Sequence, residues 1–407
     1  MTKDNRLRSG LIRAALGAST ALSALAFAAI PAAYALTAPT PVTFDTGTFL
    51  GKLTLSGGMD GYAYALTGAG NSGDGYGLLG TGKSAGVEFQ NGLIQLQKTD
   101  GLVQFTLLAG GNSSWVLGSK PGGTSVQTFE TGPFRAAYIT IAPTASFSIS
   151  AGHVASLEGY ESGVDWQNTS MLTTDIFSVE NSNSMGVSAT YTMGPVAATV
   201  TFGDGFDTQV WNFLQASATY TINDSNNVTG YFATNLGHTG PNAHVYGSAT
   251  TAYTSSFVGS GPFSASPFVN STMFGAYYSY TIGNLNIVPE VQYVYAKENS
   301  QVGLTKFSSN FATALFASYQ FGKSPFSLGG WVQYFTSNGP DNWFLNPRAQ
   351  GFGISIAPTW QKDHLFVRGD IGWLHLTSIG TPGSAGYGTS ATGRDQADFL
   401  LEAGVLF

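Results

Sequence analysis

The chain has 407 residues, no cysteine, 10% charged residues and a formal net charge of −7, with a mean hydropathy of +0.06. A soluble domain carries about 25% charge and a helical membrane protein is far more apolar, so neither class fits. Without cysteine there is no disulfide framework, thiolate nucleophile or Cys-ligated zinc, and the acidic balance argues against nucleic acid as a partner.

The first element in chain order is a targeting segment. Lys3, Arg6, Arg8 and Arg13 form a basic start, an Ala-rich run covers 14–33, and Ala33-Tyr34-Ala35 fits A-x-A cleavage. A membrane anchor helix is the alternative, weakened by the small residues and by Pro31. The expected organisation is a signal peptide over 1–35, a lead-in over 36–49 and the main fold over 50–407.

From there the dominant period is two, the strand period. In Leu285–Ala296, one face reads Leu285, Ile287, Pro289, Val291, Tyr293 and Tyr295. The other face reads Asn286, Val288, Glu290, Gln292, Val294 and Ala296. Phe352–Gln361 and Leu365–Trp373 split in the same way, whereas Phe311–Phe321 is apolar on both faces. Strands are expected at 50–66, 86–98, 102–110, 134–142, 146–155, 184–193, 196–205, 213–222, 228–236, 272–282, 285–297, 309–321, 326–337, 350–361, 365–377 and 397–407. That is about sixteen, the even number a single-chain barrel needs.

Every second connection is short, including Gly194-Pro195 and Gly283-Asn284, and the intervening ones are mostly long, as at 111–133 and 156–183. This sorting is the pattern of an all-β transmembrane antiparallel barrel with short periplasmic turns and long extracellular loops. A soluble β-sandwich has no reason to alternate connection lengths. The last strand places Phe399, Leu401, Ala403, Val405 and Phe407 on one face, which reads as the assembly signal of outer-membrane proteins, with Phe407 as its terminal aromatic.

The motifs for chemistry are weak. Gly77–Ser84 matches a phosphate-binding loop in letters, but a Gly-rich stretch precedes it where a buried strand is required. His153 near Ser156 and Glu158 is the nearest thing to a catalytic set. No catalytic residue, cofactor site or metal site is expected. His364 and His375 read as rim and lumen positions, and Trp331, Trp343, Trp360 and Trp373 as interfacial aromatic girdles.

Loop 156–183 is the third long loop, and it is a candidate to fold into the pore. It contains Glu158, Glu161, Asp165, Asp175 and Glu180 and neither Lys nor Arg. Fixed carboxylates in a constriction favour cations; a solvated acidic outer loop binding divalent ions along lipopolysaccharide is the competing reading. Lumen candidates are Arg135, Glu290, Gln292, Gln333, Arg368 and Asp370, in a lumen otherwise lined by Ser, Thr and Gln.

Residues 52–235 resemble the OmpL-like β-barrel porins. The resemblance is carried by Leu55-Ser56-Gly57-Gly58-Met59-Asp60-Gly61-Tyr62-Ala63-Tyr64, by Ala136-Ala137-Tyr138-Ile139 and by Ala151-Gly152-His153 leading to Gly159-Tyr160-Glu161. Asn168 and Gly186-Val187 before Ala189-Thr190-Tyr191 complete it. A Ser-Arg step common after the Asn is here Thr169-Ser170-Met171, so no arginine role carries over. The resemblance implies a barrel of the porin class.

The expected protein is therefore an outer-membrane porin for passive diffusion of small hydrophilic solutes, weakly cation-preferring and not an enzyme. An outer-membrane barrel enzyme and a non-conducting structural or adhesive barrel are the alternatives. Its expected partners are outer-membrane lipid and lipopolysaccharide, the barrel-assembly machinery and the solutes; association into a homo-oligomer stays open.

Overall fold

The computed structural model describes residues 36–69, 83–119, 121, 124, 132–240 and 267–407. The segment 1–35, residues 77–82 of the phosphate-loop match, and 241–266 of a long connection lie outside these residues.

Among the described residues, nineteen strands run in chain order. They are β1 (Val42–Asp45), β2 (Lys52–Leu66), β3 (Ala85–Lys98), β4 (Val103–Asn112), β5 (Trp115–Val116), β6 (Phe134–Thr144), β7 (Phe147–Ala155), β8 (Leu172–Thr173), β9 (Asn183–Met193) and β10 (Val196–Gly203). Then follow β11 (Phe213–Asn223), β12 (Asn226–Asn235), β13 (Ser271–Ile282), β14 (Leu285–Ala296), β15 (Ser308–Gln320), β16 (Phe326–Asn338), β17 (Gln350–Lys362), β18 (Leu365–Ser378) and β19 (Asp395–Leu406). A four-residue helix, α1 (Asp175–Ser178), lies between β8 and β9.

All but β1, β5 and β8 form a closed antiparallel barrel of 16 strands. Each barrel strand pairs with its neighbours in sequence, and β19 closes on β2 from Asp398↔Leu66 to Leu406↔Gly58. Phe407 extends the seam, exchanging backbone hydrogen bonds with Gly57 at 2.8 and 2.9 Å. Closure pairs the strand edges, which hydrocarbon would otherwise leave unsatisfied. The expected strands are all present; the lead-in strand β1, paired along β2, and the short β5 and β8 are additions.

Alternation decides which residues meet lipid. On β17, Phe352 and Ile356 point outward and are exposed, while Gly353, Ser355 and Ala357 point inward and are buried. On β18, Val367, Ile371 and Trp373 face out between inward Arg368, Asp370 and Gly372. Two-residue turns join several periplasmic ends; Gly194 and Gly283 open two of them with φ of 57° and 58°, a left-handed conformation suited to glycine.

The outer face generates a direct test. Ile371 lies mid-strand and is 51% exposed to the lipid side. Ile371→Arg is expected to cost about 2–4 kcal/mol, read as a lower denaturant midpoint for barrel unfolding in lipid vesicles. The same change at inward Gly372 is not equivalent, because the space there is already filled.

Candidate functional site

A cylinder of 16 strands is too wide for its own side chains to fill. Two extracellular connections enter it. Segment 113–119, carrying β5, and connection 156–182, carrying β8, pair in parallel at Trp115↔Leu172 and Val116↔Thr173. Trp115 is fully buried, with its ring 5.7 Å from Tyr62 and 5.4 Å from Tyr64 of β2. Tyr160 packs 5.0 Å from Phe316 of β15, and Trp331 Nε1 donates to the Leu172 carbonyl at 2.8 Å.

The wall is shaped for this packing. A Cβ added at Gly372 would lie 2.6 Å from Leu172, and one at Gly329 would overlap the Thr169 carbonyl oxygen. The two-sided apolar character of β15 has the same origin: Ala312, Ala314 and Phe316 point inward into the core around Leu172 and Ile176.

The loop carboxylates fall into separate environments. Asp165, 2% exposed, accepts from Arg368 of β18 at 2.6 Å, and Arg368 also donates to Glu402 of β19 at 2.7 Å. Asn91 of β3 bridges Asp165 to Asp60 of β2. The carboxyl oxygens of Asp60, Asp165 and Glu402 lie within 4.8 Å of one another and could hold a cation; the Arg368 guanidinium already supplies positive charge there. Asp175 accepts from Asn310 of β15 at 2.8 Å, while its backbone N–H donates to Gln333 of β16 at 2.7 Å.

Glu161 accepts hydrogen bonds from Thr174 of the same loop, and Glu158 accepts from the Asn181 backbone at 2.8 Å. Glu180 accepts from Gln292 of β14 at 2.8 Å, beside Glu290, which accepts from Tyr231 of β12 at 2.9 Å. Burial pushes the Glu158 and Glu161 carboxyls up to about 8 and Asp175 to about 7. It also raises Glu180, together with the nearby charges of Glu290, Glu158 and Glu161. Glu161 and Glu180 alone of the five keep part of their surface open.

Of the lumen candidates, Glu290, Gln292, Gln333, Arg368 and Asp370 are buried on inward positions. Asp370 accepts from Ser170 at 2.5 Å and from the Leu172 backbone at 3.0 Å. Arg135 sits at the register shift opening β6, within electrostatic reach of Asp207. Asp60, Asn91 and Glu402 join the network of Arg368 and Asp165; Glu402 is readable in the sequence as a lumen-facing polar residue, whereas only their inward phase on alternating strands marks Asp60 and Asn91.

Several expectations need correction. Trp331 and Trp343 are not girdle residues: both are 3% exposed and packed inside. His375 is not a lumen residue; it shares the outward phase of Trp373 and bonds Asp395 at 2.8 Å. The interior is not uniformly Ser, Thr and Gln, because the docked loops need apolar wall to pack on. His153, Ser156 and Glu158 do not assemble: His153 lies 3.5 Å from Asp207, and Ser156 Oγ bonds Gln215 and the Glu158 backbone.

The sequence matches the family described as beta-barrel porin-2, OmpL-like, over residues 52–407. No curated protein matches it. Among solved structures, the fold is similar to the outer-membrane protein OmpT of Vibrio cholerae, at TM-score 0.52 and 11% identity, covering 88% of this chain and 99% of that one. It is also similar to an anion-selective porin from Comamonas acidovorans, at TM-score 0.54 and 11% identity over 87% of this chain and 99% of that one. The outer-membrane channel DcaP of Acinetobacter baumannii gives TM-score 0.54 and 11% identity over 87% and 97%. At such identity the likeness shows the fold alone.

Two outcomes follow from the buried charges. Arg368→Met strands Asp165 and Glu402 without their cation, a loss of about 3–5 kcal/mol, expected as a lower melting temperature and faster proteolysis within 156–182. The second is a pH effect. An acid with a higher pKa in the docked loop than in the released one favours docking while protonated. Docking is then strongest at or below the ordinary 4.5 of a glutamate and weakens as pH rises to about 8. Amide exchange across 156–182 should therefore quicken between pH 5 and pH 8.5 beyond its intrinsic rate change.

Proposed function

The chain belongs to the OmpL-like β-barrel porins, and on that premise we propose that it lets small hydrophilic solutes diffuse passively across the outer membrane, with a modest preference for cations. The observation that carries the preference is the docked loop 156–182, whose partly open carboxylates are Glu161 and Glu180 and which has no Lys or Arg. Once ionised, carboxylates in a narrow passage raise the local cation concentration, so the preference should strengthen as pH rises past the value of about 8 to which burial pushes Glu161. Asp165 and Asp175 serve to hold the loop, through Arg368 and Asn310.

The wall from β6 to β12 suits a polar path. Its inward hydroxyls pair across strands, Thr140 with Ser150 at 2.7 Å, Thr190 with Thr199 at 3.0 Å and Thr219 with Thr229 at 2.8 Å. Ser150, Thr190, Thr199 and Thr219 keep part of their surface open, unlike the packed positions around Trp331. Uncharged hydroxyls exchange hydrogen bonds with water or solute without holding either tightly.

Export through the periplasm with cleavage after Ala35, recognition of the last strand and Phe407 by the assembly machinery, and a surround of lipid and lipopolysaccharide complete the reading. Purified protein in a planar bilayer should give discrete conductance steps and a reversal potential of cation sign in a salt gradient. Measured above pH 8, where Glu161 ionises, Glu161→Gln with Glu180→Gln should move that potential toward zero, whereas Glu158→Gln, at a carboxyl buried away from the passage, should leave it in place. Absence of any conductance across salts and voltages would remove the proposal.

A further inference from the structure

Ten residues lead from Leu36 to the end of β1, and Leu36 is the buried one among them, at 8% exposure. By contrast Phe49, just beyond β1, is 95% exposed. Leu36 does not lie on the outer surface. Its side chain belongs to a cluster with Leu93 of β3, Leu108 of β4, Phe366 of β18, Leu406 of β19, and Val164 and Trp166 of the docked loop. Phe366 and Leu406 stand beside the short turn 363–364 and the chain end, so this cluster lies toward the periplasmic side of the barrel.

Backbone bonds hold the seat from two directions. The Leu36 N–H donates to the Trp166 carbonyl at 3.1 Å. Thr37 and the Gln361 side chain of β17 exchange two hydrogen bonds, each 2.7 Å. The Trp166 ring in turn lies over Gly58 of β2, where an added Cβ would be 3.1 Å away. Loop tip, wall and amino-terminal segment therefore meet at one point.

We propose that the processed amino terminus is a built-in occupant of this barrel, in which Leu36 plugs into the periplasmic mouth and props the tip of loop 156–182 from below. The proposal rests on the porin reading only for its effect on conduction; the seat itself does not. Cleavage after Ala35 makes Leu36 the first residue, and its amide N–H becomes an ammonium group. That group donates to the carbonyl of Trp166, whose preceding residue, Asp165, belongs to a set of three carboxylates served by one guanidinium. Processing would thus strengthen the bond to the loop tip as well as release the chain.

The absence of cysteine allows a clean test. Leu36→Cys and Phe49→Cys, made separately, are treated with a polar maleimide in detergent micelles. The thiol introduced at position 36 should react roughly tenfold slower than the one at position 49, the protection given by burial of one apolar side chain; equal rates overturn the seat. N-terminal sequencing must give the residue after Ala35, and a mature start elsewhere also overturns it. Leu36→Asn should raise unitary conductance while the melting temperature of the barrel stays near that of the wild type. Unchanged conductance, with the position-36 thiol still protected, overturns the propping role. A wild-type protein that does not conduct removes the porin reading, and the labelling rates still decide the seat.

Discussion

Hydrocarbon offers no hydrogen-bond partners, so every backbone N–H and C=O that crosses the membrane must find one within the chain. The pairing of β19 with β2 meets that demand for the last two edges. An open seam would expose a row of unpaired groups, each costing several kcal/mol in lipid. Once the cylinder is closed, the two faces of every strand have different solvents. Residues such as Ile356 and Ile371 are placed by lipid, and residues such as Arg368 and Glu402 by the interior.

The interior then has its own problem, which is width. Two extracellular connections solve it by entering the lumen and building a core there, with Trp115, Leu172 and Ile176 against Phe316, Trp331 and Leu374. The loop carboxylates follow from this packing. Taken out of water, an acid is either paired, as Asp165 is with Arg368, or held neutral by burial, as Glu158 is. Acidic residues that look equivalent in the sequence therefore serve different ends, some holding the loop and some facing the passage.

The barrel was legible from the sequence because alternation and connection length are local signals. Leu285–Ala296 shows its two faces directly, and the short turns reveal which ends face the periplasm. The plug was far less legible. Gly329 and Gly372 look like ordinary strand glycines until the Thr169 carbonyl and Leu172 occupy the space above them. Arg368 and Asp165 are 203 positions apart, and nothing local relates them. Trp331 and Trp343 fitted an interfacial belt by composition, yet an apolar core inside the tube claims them. His375 was misplaced for a simpler reason: its phase on β18 matches Trp373, not Arg368.

The seam between β19 and β2 also governs the order of events in folding. Among the described strands, every other barrel pairing joins near neighbours, and about half of them are tied by connections of two to five residues. Such hairpins zip locally at little entropic cost, whereas bringing together segments at opposite ends of the barrel must wait for everything between. A barrel not yet closed is thus a curved ribbon with two raw margins until β19 reaches β2. The period in which those margins could pair with another chain ends with one weld, made by residues 395–407.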